Sequence, residues 1–222
     1  MPAPMWTTPM RKAMTDHRIG PNAILQMQAV LQCVEGDLVC RGIFAQAGLE
    51  HYLDCPPRAM VPECDAARLH MAMHRKLGDA RARTLGWLAG RLTALYLLDH
   101  RIPKAAQFML RLLPARLGAL LLCALISRHA WTFTGSGRMR ITQGRPIRIV
   151  ITGSPLVMGA NSPEPWCDYF TGTFETLFAK LISSRTHVVE TACIANGDAA
   201  CCFEVRLAGA ARVRRAAQLA TA

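Results

Sequence analysis

Apolar residues recur at helical spacing along the first part of the chain, and strand-like alternation begins only near residue 130. Ile19-Gly20-Pro21-Asn22 reads as a helix start, with Asn22 as the N-cap and Ile24, Leu25, Met27, Gln28 and Leu31 on the turns that follow. A second short helix is predicted over 38–49, and the prolines between Cys55 and Pro62 predict a loop. Asp65 is placed to cap a long helical stretch from Ala66, which Gly78-Asp79 interrupts. Over 81–100, Leu85, Leu88, Leu92, Leu95, Tyr96 and Leu98 form a broad stripe. Ile102-Pro103 ends that helix and starts another, and Pro114 separates off one more over 115–128. This last helix is apolar on most sides, which predicts burial.

The pattern then changes. Trp131-Thr132-Phe133-Thr134 alternates, Gly135-Ser136-Gly137 is a turn, and 138–142 and 147–152 are further strand candidates. Trp166, Phe170, Phe174, Leu177, Phe178 and Leu181 return to helical spacing. Two strands, over 186–194 and 200–207, flank an Asn196-Gly197-Asp198 turn. Helices first and an antiparallel sheet later predict an α+β fold: a helical N-terminal half plus a sheet ending in a metal-binding hairpin. Residues 1–19 read as a flexible arm, 20–207 as one ligand-binding domain, and 208–222 as an Ala/Arg-rich tail.

Half of the residues are apolar and 18% are charged, enough to bury a core in a chain of 222 residues. The net charge of +11 comes mostly from scattered Arg, an ordinary solvated surface or a face for an acidic partner, an anionic membrane or a carboxylate-bearing ligand. Nucleic acid is not expected as a partner, because no helix-turn-helix, zinc-finger spacing or basic-aromatic stripe is present. Nine Cys with no apolar leader before Gly20 fit a reducing, cytoplasmic setting. The longest apolar run, 117–126, is too short to span a bilayer, which needs about 20 residues.

The sharpest chemical signal is Cys167, then Glu190 and Cys193 separated by two residues, then Cys201. Three thiolates and a carboxylate can close a tetrahedron around zinc, although small buried thiols are also ordinary core residues. A two-residue turn at Asn196-Gly197 would set Cys193 opposite Ala200, and one at Gly197-Asp198 would set it opposite Cys202. A three-residue turn over 196–198 sets it opposite Cys201, the preferred register. Glu190 and Cys193 would face opposite ways in a regular strand, so a bulge or strand end must turn one of them. Cys202 is a rival ligand.

The segment ETACIANGDAACCFEV resembles the end of the vinyl-4-reductase domain, and RIGPNAILQ, YLLDHRIPKAAQ and RHAWTFTGSG resemble its bacteriochlorophyll 4-vinyl reductase branch. The similarity runs from Arg18 to Leu207. It implies zinc on Cys167, Glu190, Cys193 and Cys201, by analogy with sensor domains of the superfamily. Those sensors bind small aromatics through a His and a Trp, whose positional counterparts here are His100 and Trp131. His129 could ligate the magnesium of a chlorin, and Tyr96 could line an apolar cavity, although helix-end histidines and core aromatics need no such role. Arg101 and Arg128 stand near those helix ends to meet a propionate.

The family name implies reduction of a vinyl group, which takes two electrons and two protons. No phosphate-binding glycine loop, dinucleotide fingerprint, C-x-x-C or flavin signature is present, and zinc does no redox chemistry. The expected function is therefore binding of a protochlorophyllide-type magnesium porphyrin or chlorin precursor, as carrier or accessory to other bacteriochlorophyll-pathway enzymes. A reductase using an external reductant is the alternative, and a small-aromatic sensor the second. The resemblance also implies a homodimer, and peripheral contact with the photosynthetic membrane.

Overall fold

The computed structural model describes residues 17–207, so the proposed arm over 1–16 and tail over 208–222 lie outside the described residues. Arg18–Ile19 (β1), at the end of the predicted arm, pairs antiparallel with Val61–Pro62 (β2) inside the predicted loop. Eight helices fill the first part: Asn22–Glu35 (α1), Asp37–Ala47 (α2), His51–Asp54 (α3), Glu63–Leu77 (α4), Asp79–His100 (α5), Lys104–Leu112 (α6), Ala115–His129 (α7) and Trp131–Thr134 (α8). Then come Arg138–Thr142 (β3), Ile147–Thr152 (β4), Asp168–Leu181 (α9), His187–Ala192 (β5) and Cys201–Arg206 (β6). The architecture is α+β, with one four-stranded antiparallel sheet in the order β3-β4-β6-β5.

Punctuation residues act largely as read. Gly78 adopts φ 77° between α4 and α5, a conformation that a side chain would resist. Pro103 and Pro114 each immediately precede a helix. Two caps differ. Asn22 is already the first helical residue, and the Pro21 carbonyl accepts the first turn's N–H groups from Ile24 and Leu25. Helix α4 begins at Glu63, so Asp65 lies inside its first turn, where its carboxylate accepts from the Tyr52 hydroxyl and from Arg68, each at 2.7 Å.

The Trp131–Thr134 segment is a helical turn, not a strand. Four residues are too few to separate a period of two from a helix end. The hydroxyls of Thr132 and Thr134 donate back to the carbonyls of His129 and Ala130, which favours the helical path. Phe133 points inward towards Phe170 and Phe174, while Trp131 is 61% exposed. The prediction that α7 is buried on most sides also fails. Its inner side holds Gly118, Ala119, Leu122, Cys123 and Ile126, but Leu117 and Leu121 face out.

Helix α9 lies between the sheet and α5. Phe170 and Phe174 meet Phe203 of β6 at centroid distances of 6.2 and 5.5 Å. On its other side α9 crosses α5 so closely that a Cβ at Gly90 would run into the carbonyl of Tyr169, and one at Gly172 into that of Trp87. The sheet buries Ile147, Ile149, Ile151, Phe203 and Val205 and exposes Arg138, Arg140, Arg148 and Arg206, the alternation of a half-buried antiparallel sheet.

Candidate metal centre

The sheet and α9 meet at the four residues singled out by spacing. Cys167 immediately precedes α9, Glu190 lies on β5, Cys193 just beyond β5, and Cys201 opens β6. Ladder partners jump from Glu190–Phe203 to Ala192–Cys202, so Thr191 is an extra residue and β5 carries a bulge there. That residue reverses the side-chain alternation, and Glu190 and Cys193 converge although three apart. Continuing the Ala192–Cys202 register sets Cys193 opposite Cys201, as preferred from the sequence. The connection is longer than the predicted three residues. It contains a short 3-10 turn, Ile194–Asn196, closed by Gly197 at φ 87°. Asp198 Oδ2 accepts the Cys193 N–H at 2.8 Å and holds that corner. Cys202, the next residue along β6, is outside the cluster because successive strand side chains point to opposite faces.

The ligand atoms of all four residues lie within 4.8 Å of one another. Sulfur–sulfur distances are 3.4 Å for Cys167–Cys201 and 3.9 Å for Cys167–Cys193 and Cys193–Cys201. A tetrahedral zinc with bonds of about 2.3 Å requires sulfurs about 3.8 Å apart. A disulfide would need about 2.05 Å. The three thiols are buried. Glu190 accepts the Cys167 N–H through Oε2 at 2.8 Å, while its buried Oε1 has no partner among the described residues. An unpaired buried carboxylate oxygen beside three thiols suits a cation. The donor set therefore fits a metal, which would tie the start of α9 to the β5–β6 hairpin.

Electrostatics point the same way. Without a metal, burial pushes the Glu190 carboxyl up to about 9. Burial, with hydrogen bonds to the other two thiols, raises Cys167 well above the usual thiol range. A hydrogen bond from Cys167 pulls Cys201 down, but its hydrogen bond to Cys193 and burial win and raise it to about 12. Hydrogen bonds from Cys167 and Cys201 lower Cys193. The four acids thus share one negative charge, at the N-terminal end of α9, where the helix dipole favours an anion.

Neighbours that sequence reasoning passed over support this corner. Arg83 of α5 donates to Asp168 at 2.9 Å and pairs with Glu164, and its charge is felt by Glu190. Trp166 Nε1 donates to Asp79 Oδ1 at 3.3 Å, and the same oxygen meets His74 Nδ1 at 2.9 Å. Asp198 has only a turn signal in the sequence. Arg83 and Asp168 have none, since their pairing spans 85 positions.

The four expected ligand-pocket residues are not gathered in the same way. Tyr96 and His100 stack on each other at the end of α5, with centroids 4.5 Å apart. His129 ends α7 and Trp131 begins α8, both exposed. No hydrogen bond or ring contact joins the two pairs among the described residues. The placement of a ring beside a Trp131 strand is overturned, since no strand is there. Both histidines keep a useful feature. His100 Nδ1 faces the Tyr96 carbonyl at 3.1 Å and His129 Nδ1 faces the Leu125 carbonyl at 2.9 Å. A carbonyl partner requires the proton on Nδ1, which leaves the Nε2 lone pair outward and available to a metal.

The family model of the vinyl-4-reductase domain matches residues 147–207, which contain all four cluster residues. The bacteriochlorophyll synthase 23 kDa chain of Cereibacter sphaeroides is 41% identical over 189 residues, 85% of this chain and 90% of that protein. The protein of the same description from Rhodobacter capsulatus is 39% identical over 186 residues, covering 84% and 85%. A solved structure from work on heme distortion in the H-NOX family superposes with a TM-score of 0.53 at 14% identity, covering 85% of this chain and 95% of that one. That last likeness is one of fold.

Proposed function

The chain belongs to the bacteriochlorophyll synthase 23 kDa chain family and takes part in bacteriochlorophyll biosynthesis, and from that premise we propose that it binds a protochlorophyllide-type tetrapyrrole and presents it to the enzymes of that pathway. The observation that carries the reading is family similarity along nearly the whole chain, helical part included. His100 and His129 support it as axial ligands, each offering Nε2 to a magnesium from a helix end. Arg101 and Arg128 stand beside them in sequence for a propionate. The metal of the four-residue cluster is zinc in this reading, held by Cys167, Glu190, Cys193 and Cys201. Four protein ligands complete a tetrahedron and leave no position for a substrate, so its role is structural.

The test is titration of the purified protein with divinyl protochlorophyllide, with and without NADPH. Binding should shift the pigment spectrum at micromolar protein, and the His100→Ala or His129→Ala variant should abolish the shift. Monovinyl product that scales with protein concentration would replace the carrier reading with catalysis. An unmoved spectrum at tens of micromolar protein would refute pigment binding.

A further inference from the structure

The α6–α7 hairpin combines two features that occur together nowhere else on the described surface. Large apolar side chains are exposed along it: Phe108 at 64%, Leu112 at 69% and Leu117 at 53%, with Met109, Leu121 and Trp131 also exposed. Phe108 and Leu112 are four residues apart on α6, and Leu117 and Leu121 four apart on α7, so each helix carries a continuous apolar stripe. The inner sides are committed elsewhere. Gln107 donates to the Leu98 and Ile102 carbonyls, and Leu110, Leu122 and Ile126 are in the core. The outward stripes are therefore held in place with nothing packed on them among the described residues.

The charge around these stripes has one sign. From His100 to Pro163 the sequence contains no Asp or Glu and nine Arg or Lys. Lys104 pairs with Asp99 at 2.9 Å, but Arg101, Arg111, Arg116 and Arg128 have no carboxylate partner among the described residues. No helix is long and apolar enough to cross a membrane. An amphipathic surface with an apolar stripe, an aromatic at its end and basic side chains alongside is the chemistry of a helix lying in the interface of an anionic bilayer. The bare charge pattern also suits an acidic protein. Solvent-exposed Phe, Leu, Met and Trp in a single patch favour the lipid, where apolar side chains enter the acyl boundary and Arg meets phosphate.

We propose that the α6–α7 hairpin and Trp131 form a docking surface for an anionic lipid bilayer. The inference does not depend on pigment binding or on the metal.

The test uses the full chain with vesicles of pure phosphatidylcholine and vesicles containing phosphatidylglycerol. Cosedimentation should occur with the anionic vesicles, weaken at high salt, and be at least tenfold weaker with neutral ones. Phe108→Asp with Leu112→Asp should lower binding at least tenfold at an unchanged melting temperature. Leu38→Asp, at an exposed apolar residue outside the patch, should leave it unchanged. Trp fluorescence should shift to the blue on binding, and Trp131→Phe should remove that shift. Absence of binding to anionic vesicles, or equal binding by the double variant, overturns the proposal. So does a lipid-free dimer that the double variant dissociates, because a second copy would then be the occupant.

Discussion

Loading the four-ligand site with a divalent metal at neutral pH should expel three protons. Without metal, Cys167, Cys201 and Glu190 hold protons, because burial and neighbouring acids raise all three, and one anion rests on Cys193. The division of that charge between Cys193 and Glu190 does not alter the count, since the pair carries one proton either way. A metal bound by all four ligands needs all four ionised. Apparent affinity should therefore tighten by about three orders of magnitude per pH unit between pH 6 and 8, roughly 4 kcal/mol per unit. The stability of the metal-free protein behaves differently. Glu190, raised from 4.5 to about 9, contributes stability that is lost as pH rises over that interval. Cys193, lowered from 9.0, contributes stability that grows over it, so the two nearly cancel. Calorimetric titration of chelated protein with zinc, in buffers of different ionisation enthalpy, counts the protons directly. Glu190→Gln should bind more weakly and release two. Release of none or one by the parent protein would mean that the groups are already ionised or that only part of the set binds, and the four-ligand site would fail.

Three further outcomes follow from the packing. Gly90→Val should destabilise the protein by about 3 kcal/mol or more in chemical denaturation, because the new side chain meets the Tyr169 backbone and not a movable side chain. Tyr169→Phe should cost only about 1 kcal/mol in the same assay, since the Thr93 hydroxyl left behind still donates to the Ala89 carbonyl. His70 is buried, and burial lowers it to about 3 from 6.5, so its stabilisation is complete above pH 6.5 and lost as pH falls towards 3. Thermal melts should show this acid sensitivity, at most roughly 5 kcal/mol, and His70→Gln should reduce it.

The order and type of most elements could be read from the chain because Gly78, Pro103 and Pro114 mark boundaries through backbone chemistry that no tertiary contact overrides. Elements defined only by apolar pattern were less secure. Trp131 to Thr134 alternates for too few residues, and its conformation is decided by hydroxyl bonds to the preceding turn and by the Gly20 N–H, which donates to the Thr132 carbonyl at 2.6 Å. In α7 the apolar residues cover more of the circumference than the core can take. Hydrophobicity alone could not say which stripe faces in. The β1–β2 pairing joins residues more than forty positions apart and left no local mark.

The metal site shows the opposite case, in which a local conflict carried the information. Glu190 and Cys193, three apart on one strand, cannot both face inward in a regular ladder. Either the ligand assignment was mistaken or the strand was irregular. The extra residue at Thr191 resolves this in favour of irregularity and leaves Thr191 exposed, its hydroxyl towards the Cys202 carbonyl at 3.4 Å. A bulge that interrupts the ladder weakens the hairpin by itself, so something in the folded state must compensate for it. Core packing does not require it, since Val188, Phe203 and Val205 are buried on the regular part of the ladder. What it does is turn a carboxylate with one unpaired oxygen towards three buried thiols. Thiols packed merely as small apolar groups would gain nothing from a carboxylate beside them, because burial penalises its charge. The bulge, the orphaned oxygen and the sulfur spacing therefore argue together for a bound cation, and each could be lost on its own without disturbing the rest of the sheet.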